Sequence, residues 1–248
     1  MYDNNINILK KLAAILIFLT VIPIALFSTT SKTITVDKYT TKINISNQVY
    51  IYEDKHNNLT IQDLSSYKYK DKFIDAASSG NSFGFSKSTF WVRFSIDVKK
   101  EVSDSLYVEL SYPLIDNVSL YSQNSDGTFS QKRSGEFILD THKEVNNRNS
   151  LFRIDSHGST TQTYYMKIKS EGSTQIPLNL LTSSELIEHV DTTNFILGGY
   201  YGNMFLLMIA SFVVFYKIRD VIFLTYGIYL LSYLFFQLSM NGFFIQYF

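Results

Sequence analysis

Residues 195–248 constrain the fold most, because they contain two long stretches without a charged side chain. The first stretch, 195–216, has about 22 residues, enough for a helix rising ~1.5 Å per residue to cross a hydrocarbon core of about 30 Å. A short charged turn at 217–220 separates it from the second stretch, 221–248. This layout predicts a helical hairpin that crosses a membrane twice. Because the sequence closes on uncharged aromatic residues, we interpret it as the front part of a longer membrane protein.

The N-terminal segment, residues 1–30, has the pattern of an export signal. Lys10 and Lys11 precede an apolar run of about 16 residues at 12–27, as in secretory signals. A cleaved signal peptide and an uncleaved N-terminal anchor stay open as alternatives, and both place the following residues outside the cytoplasm. The positive-inside rule agrees, because the basic residues before this run and those at 217–220 then lie on the cytoplasmic side.

The composition argues against several classes of function. The 22 basic and 22 acidic residues give a net charge of zero, so no basic field suggests nucleic acid as a partner. The absence of cysteine excludes disulfide scaffolds, thiolate zinc sites and cysteine nucleophiles. The histidines lie far apart in the sequence, and no catalytic motif has its companion residues. The sequence therefore predicts no enzyme, no cofactor and no metal site, and an exported hydrolase is the least favoured function.

Residues 31–190 are predicted to form an extracytoplasmic β-domain. Seven short segments combine alternating apolar residues with flanking Asn, Asp, Ser or Gly: 42–52, 90–98, 106–111, 117–122, 151–155, 163–169 and 175–181. This spacing indicates a mainly β fold, an antiparallel jelly-roll sandwich followed by a transmembrane α-helical hairpin. The pair Asp126-Gly127 predicts a hairpin turn. Short helices are predicted at 61–73 and 182–191.

The alternation also predicts a face that points away from the core. In the strand at 90–98, the apolar residues at even positions form one side and the odd positions form the other. The predicted ligand-binding face consists of Trp91, Arg93, Tyr107, Glu109, Tyr121 and Tyr165. Aromatic rings beside charged hydrogen-bonding groups suit a sugar ring and its hydroxyls. The alternative is a set of cross-strand pairs covered by a loop, with Arg93 and Glu109 forming an ion pair.

Other residues have predicted structural roles. Asp116 lies in a turn and is expected to fix it by bonding backbone amides. Gly198 and Gly202 have the GxxxG spacing that permits close helix packing, either against further helices or in a homodimer. Asn203 and Gln237 are polar within the spans, so we expect them to form interhelical hydrogen bonds.

Several motifs resemble those of one receptor family. Phe-Trp-Val-Arg-Phe at 90–94 resembles a Trp-Leu-Arg-Phe strand, and Tyr-Pro-Leu-Ile-Asp-Asn-Val at 112–118 is similar to a Tyr-Pro-Leu-Leu-Asp-x-Val motif. Tyr-Tyr-Met-Lys-Ile at 164–168 resembles Tyr-Tyr-Leu-Arg-Val, with lysine in place of arginine. Gly-Gly-Tyr-Tyr-Gly at 198–202 and Ser-Met-Asn-Gly at 239–242 match the membrane part. The motifs resemble bacterial seven-transmembrane receptors with diverse intracellular signalling modules (7TMR-DISM), extracellular domain type 2.

The resemblance implies a sensory receptor in the cell membrane, with residues 31–190 outside the cytoplasm. Its outer domain, similar to carbohydrate-binding modules, would take sugars or related small ligands. Residues 195–248 would be the first two helices of a truncated seven-helix module, and the cytoplasmic signalling module is missing from this sequence. The implied partners are the lipid bilayer, a carbohydrate or small molecule, and a second copy in a homodimer. The alternative function is a membrane-anchored scaffold that binds glycans or a partner without signalling output.

Overall fold

The computed structural model describes residues 32–102, 104–138, 143–154 and 161–247, so the predicted signal or anchor segment at 1–30 lies outside the described residues. The described strands are β1 Thr33–Val36, β2 Lys42–Asn44, β3 Tyr50–Asp54, β4 Ile74–Asp75, β5 Ser82–Phe85, β6 Thr89–Val98, β7 Leu106–Leu110, β8 Asn117–Gln123, β9 Phe129–Ser134, β10 Ser150–Ile154, β11 Thr161–Lys169, β12 Ser173–Gln175 and β13 Leu178–Thr182. The described helices are α1 Ile61–Ser65, α2 Tyr67–Lys70, α3 Ala76–Ser79, α4 Ser183–Ile218, α5 Val221–Met240 and α6 Phe243–Tyr247.

Two β-sheets form a sandwich. The seven-stranded sheet has the order β4-β3-β6-β11-β8-β9, and β1 joins it in parallel beside β6. The four-stranded sheet has the order β10-β7-β13-β2 and is antiparallel. Strands β5 and β12 pair as a separate ribbon. The prediction of a mainly β sandwich followed by an α-helical hairpin is confirmed, whereas its description as a jelly roll stays a prediction.

The hydrophobic core lies between the sheets and consists of the alternate residues that the sequence predicts. In β6, Phe90, Val92, Phe94 and Ile96 are each at most 1% exposed. Their counterparts in the facing sheet, such as Val108, are equally buried. Because burial of each large apolar side chain contributes about 1.5–3 kcal/mol before entropy is counted, this alternation fixes which side of each strand turns inward.

The single strand predicted at 42–52 is wrong, because this segment forms two strands that belong to different sheets. A turn separates β2 from β3: the backbone N–H of Ser46 donates to Asn44 Oδ1, at 3.1 Å, and that of Gln48 donates to the Ile45 carbonyl, at 2.8 Å. Ile45 and Val49 stay fully buried where the chain crosses between the sheets. The apolar pattern therefore continues through the turn and hides it.

The short helix predicted at 182–191 is the beginning of a much longer one. Helix α4 has 36 residues, so it is about 54 Å long at ~1.5 Å per residue. Thr182, the last residue of β13, caps it, since its Oγ1 accepts from the backbone N–H of Glu185 at 3.3 Å. The sandwich is therefore joined to the membrane helix without a linker.

Helices α4 and α5 form the predicted hairpin. Arg219 ends α4 in the left-handed conformation (φ +62°), and Asp220 begins α5 by accepting a hydrogen bond from Ile222 N at 3.0 Å. Gly227 allows close packing, because a Cβ there would lie 2.7 Å from the ring of Phe212. Both helices are long and apolar enough to cross a membrane, and only 17% and 11% of their most apolar stretches are buried. Such exposed apolar helices are unlike the core helices of soluble domains.

Candidate functional site

The structure divides the predicted ligand-binding face between two sheets. Trp91, Arg93, Tyr121 and Tyr165 lie together on the outer side of the seven-stranded sheet. Strand β11 places Tyr165 directly between Arg93 on β6 and Tyr121 on β8. The other two predicted residues are in β7, which belongs to the four-stranded sheet. The prediction that all six line one face is therefore wrong, and four of them are neighbours.

Trp91, Tyr121 and Tyr165 belong to a layer of aromatic rings on the outer side of the sheet, and Arg93 lies beside it. We call this layer the aromatic cluster, and it consists of Tyr50, Tyr52, Tyr69, Phe73, Trp91, Tyr121, Phe129 and Tyr165. Trp91 stacks on Tyr121 with ring centroids 5.8 Å apart and an interplanar angle of 29°. Lys167, the cross-strand neighbour of Trp91, has its Nζ 5.3 Å from the Trp91 ring centroid. Flat rings and a cation thus meet at one point of the sheet.

Residues 60–73, which we call the cover segment, lie over this cluster. Ile61, Leu64 and Phe73 are buried against it, and Trp91 is only 1% exposed. A capping box begins α1, in which Thr60 N donates to the side chain of Asp63 at 2.9 Å. Helices of five and four residues are too short to be stable alone, so the cover segment is ordered by its packing. The covering expected in the alternative is therefore present over this sheet, although the segment that provides it contains two short helices.

Arg93 connects the sheet to the cover segment. Its Nη1 donates to the Lys70 carbonyl at 3.1 Å. Its guanidinium carbon lies 4.6 Å from the ring centroid of Phe73 and 5.2 Å from that of Tyr50. The predicted ion pair between Arg93 and Glu109 is therefore wrong, because the two side chains belong to opposite sheets.

The polar atoms of the aromatic cluster differ in their hydrogen bonding. Tyr121 Oη accepts from Gln131 Nε2 at 3.0 Å. Burial raises the pKa of Tyr121, which hydrogen bonds and Arg133 partly offset, and burial raises the pKa of Tyr165 against the opposing effect of Arg93. The indole N–H of Trp91 is buried and has no acceptor among the described residues. An unsatisfied buried donor costs about 1–3 kcal/mol. The arrangement in which residues 60–73 lie over Trp91, which we call the covered state, therefore leaves the indole N–H at a cost that an acceptor would remove.

The remaining predicted residues, Tyr107 and Glu109, lie under the start of α4. Tyr107 packs in a small apolar cluster with Leu186 of that helix. Glu109 is 2% exposed, and its carboxylate accepts from Asn149 Nδ2 at 2.7 Å, from Ser111 Oγ at 2.7 Å and from an asparagine of β13 at 3.3 Å. Tyr107 therefore packs the sandwich against the helix, whereas the hydrogen bonds of Glu109 stay within the sandwich, and neither residue takes part in the aromatic cluster.

A small polar depression adjoins Glu109, between the loop before β10 and helices α4 and α6. Arg148, His189 and Asn194 contribute to its lining. Among the described residues, no group of three or more His, Cys, Asp or Glu side chains could hold a metal ion. The one carboxylate in the depression is already satisfied by neutral donors, so the depression is a weaker candidate than the aromatic cluster.

Asp116 and the membrane glycines have defined positions. Asp116 is 8% exposed, and its Oδ2 accepts from the backbone N–H of Glu171 at 2.7 Å, which joins two loops. A Cβ at Gly198 or Gly202 would meet nothing within 4 Å, so neither lies in the described contact between α4 and α5. Their role against further helices or a second copy stays a prediction.

The two polar residues of the spans lie in different surroundings. Asn203 is exposed on α4. Gln237 contributes its backbone carbonyl to an interhelical hydrogen bond with Tyr201 Oη, at 3.3 Å, whereas its side chain donates to Tyr233 Oη on its own helix at 2.7 Å. A main-chain hydrogen bond of Gln237 thus joins the two helices, and its side chain also interacts with Tyr200 of α4, as expected.

Sequence reasoning missed part of the site. Phe73 and Tyr69 reach the cluster from the cover segment, and Lys167 reaches it from β11. The alternation along β11 places Lys167 on the same side as Tyr165, so the pattern could have identified it. Nothing in the pattern shows that residues 60–73 fold back over this sheet.

Comparisons with known proteins agree with this architecture. Residues 46–182, more than half of the chain, match the family 7TMR-DISM extracellular 2, and residues 193–248 match 7TM diverse intracellular signalling. The chain belongs to the 7TMR-DISM family. The extracellular match corresponds to the sandwich and the 7TM match to the helical hairpin. The chain is therefore a membrane protein of a sensor family, with an extracytoplasmic segment.

Comparison with curated proteins finds no match. Among solved structures, the chain is similar to an FMN-binding β-glucuronidase from Facaelibacterium prausnitzii L2-6 at 11% identity and a TM-score of 0.31, over 57% of this chain and 22% of that chain. A β-glucuronidase from Ruminococcus gnavus in complex with D-glucaro 1,5-lactone aligns at 10% identity and a TM-score of 0.26, over 61% of this chain and 31% of that chain. The chain spans less than a third of either structure, and similarity at this level carries no argument about its activity.

Proposed function

We propose that the sandwich is a sensor for a carbohydrate or a related small hydroxylated ligand, and that the aromatic cluster is its binding site. The observation that carries this proposal is the Trp91 side chain, which combines a ring stacked on Tyr121 with an indole N–H that has no acceptor in the part of the chain that the structure describes. A sugar ring offers an apolar face to stack on Trp91 and hydroxyl oxygens to accept its N–H.

Binding at this site requires the cover segment to move. In the covered state, Phe73 and the rest of the segment occupy the outer side of the rings. A ligand that binds only the open arrangement shifts the population toward it, and it can do so only by its differential affinity for the two states. The short helices α1 and α2 make this exchange feasible, because their order depends on contacts that a ligand would replace.

Signalling output is supported by the direct connection between the sandwich and the membrane. Thr182 is both the last residue of β13 and the N-cap of α4, so a movement of the four-stranded sheet reaches the span without passing through a flexible linker. The alternative function, an anchored scaffold without signalling, needs no such rigid joint. We therefore favour a receptor over a scaffold.

The proposal can be tested with the full chain in lipid nanodiscs. Trp91 is the only tryptophan, so its fluorescence reports on the site alone. A panel of mono- and oligosaccharides should contain a ligand that raises the melting temperature and changes the Trp91 emission. Lys167→Ala should weaken its affinity by about 10- to 150-fold, because a charged hydrogen-bonding group contributes about 1.5–3 kcal/mol.

Lys169→Ala is the matched control, since Lys169 lies on the same side of β11 but is exposed at the end of the strand. Trp91→Phe keeps a ring but removes the indole N–H, and should also weaken binding. The proposal fails if the affinity of every ligand found is the same in the wild type and in both site variants. A ligand that binds the cluster without altering the arrangement of the membrane helices would favour the scaffold.

A further inference from the structure

The outer end of the second membrane helix packs directly onto the sandwich. Helix α5 ends at Met240, and Gly242 then turns the chain with φ +75°. A Cβ on Gly242 would lie 2.6 Å from Pro113 Cβ and 3.3 Å from Arg148 Cβ, so only glycine fits between them. Pro113 and Arg148 come from two loops of the sandwich, before β8 and before β10.

A stack of side chains reinforces this contact. The guanidinium carbon of Arg148 lies 5.7 Å from the ring centroid of Phe243 in α6. Phe243 meets the ring of Tyr201 in α4 edge to face, at 5.7 Å and 84°. Asn241 Nδ2 donates to Tyr201 Oη at 2.9 Å and thereby connects the two helices. The sandwich, α4 and the end of α5 thus meet at one point.

The loop that carries Pro113 is also attached to the sheet of the aromatic cluster. Asp116, three residues later, is held by the backbone N–H of Glu171 in the turn after β11. Strand β8 begins at the next residue and leads to Tyr121, which stacks on Trp91. A displacement of the cluster therefore has a short, packed route to the contact at Gly242.

We infer that Pro113, Arg148 and Gly242 are positioning residues that form a second attachment between the sensor and the membrane, and that this attachment sets the position of α5 relative to α4. Strand β13 fixes α4 through the chain itself, whereas Gly242 fixes α5 through packing. One attachment would transmit only a tilt of the hairpin, but two attachments transmit a relative movement of its helices. The inference rests on the proposed function for the origin of the signal, but the attachment itself can be measured without a ligand.

Double electron–electron resonance, which measures the distance between two spin labels, tests this attachment on the full chain in nanodiscs. The sequence has no cysteine, so spin labels can be placed at pairs of introduced cysteines without background. Ser239→Cys on α5 and Lys169→Cys on β11 are both exposed and report the distance between the second helix and the sandwich. The pair Ser239→Cys and Thr192→Cys reports the distance between α5 and α4.

Gly242→Ala should shift the mean of both distances, because its Cβ would lie 2.6 Å from Pro113 Cβ and the two carbons must move apart. Gly80→Ala is the matched control, since Gly80 has nearly the same φ, +76°, but nothing within 4 Å of its Cβ position. It should leave both distributions unchanged. The double variant Pro113→Gly/Gly242→Ala should shift the mean distances less than Gly242→Ala, because it removes the Cβ that causes the closest clash, but it should broaden both distributions, because the packing contact of Pro113 is lost.

Arg148→Leu provides a second perturbation that introduces no clash and should broaden both distributions by removing the contact with Phe243. Unchanged distances in Gly242→Ala and Arg148→Leu would overturn the inference, as would an equal response of Gly80→Ala. These outcomes do not depend on any sugar. If no saccharide binds and Gly242→Ala still moves α5, the proposed ligand class fails and the second attachment stands.

Discussion

Replacing Gly135 with alanine should destabilise the sandwich strongly, because Gly135 is held against the backbone that carries Asp116. Its φ is +122°, and a Cβ would lie 2.5 Å from the Asp116 carbonyl oxygen and 2.9 Å from the carbonyl carbon. Both are backbone atoms, so no side-chain rotation relieves the clash. Gly127, in the turn between β8 and β9, has φ +84° and nothing within 4 Å of its Cβ position. Gly127→Ala therefore measures the cost of the positive-φ backbone conformation without the cost of a steric clash.

The expected magnitudes follow from these two situations. Forcing an L-residue into a left-handed conformation costs about 1–2 kcal/mol, which is the whole effect expected for Gly127→Ala. Displacing packed groups adds about 1–3 kcal/mol, so Gly135→Ala should lower the free energy of unfolding by about 2–5 kcal/mol. Urea unfolding of the full chain in detergent, followed by the fluorescence of the single Trp91, measures the sandwich selectively. Equal losses for the two variants, within about 0.5 kcal/mol, would refute the reasoning.

Three further predictions concern the two faces of the sandwich. Glu109→Gln should lower the free energy of unfolding by about 1–3 kcal/mol, because its N–H₂ group replaces one carboxylate oxygen and then faces either the donor Asn149 or the donors Ser111 and Asn179; a urea midpoint unchanged from the wild type would contradict this. Burial raises the pKa values of Tyr121 and Tyr165 in the folded state. The stability that these neutral side chains contribute should therefore be complete below pH ~10 and lost as the pH rises through their folded-state pKa values. Urea unfolding at increasing pH would show this loss. Asp63→Asn weakens the capping box of the cover segment and should increase acrylamide quenching of Trp91, whereas wild-type quenching would mean that the segment is held by packing alone.

The faces of the strands could be predicted from the sequence, but their distribution between the sheets could not. Alternation shows which residues of β6 and β7 point away from the core, and it does so correctly for Trp91 and for Glu109. It contains no information about which sheet a strand joins. Strands β6 and β7 follow one another in the chain yet belong to opposite sheets, so the sides that face outward are on opposite surfaces of the sandwich.

The same limit explains the other differences. Pairing between β2 and β13 or between β3 and β6 joins residues far apart in the sequence, and the buried crossover at Ile45 and Val49 has no polar break. A short helix was predicted at 61–73, but the position of this segment over the cluster depends on long-range packing of Leu64 and Phe73. The membrane hairpin was the most predictable element, because composition and length alone define a span.

The two attachments of the helices differ in which sheet they follow. Helix α4 continues from β13 and therefore moves with the four-stranded sheet. Pro113 lies in the connection between β7 and β8, one strand from each sheet, and Asp116 holds that connection to the seven-stranded side. The sheets of a sandwich are joined by side-chain packing, whereas the strands within a sheet are also joined by hydrogen bonds. Under the proposed function, a ligand on the aromatic cluster would act on the seven-stranded sheet, and a shift of that sheet over the other would reach α5 through Pro113 and Gly242, while Arg148, before β10, ties the same contact to the four-stranded sheet. The signal in the membrane would then be a change in the position of α5 relative to α4.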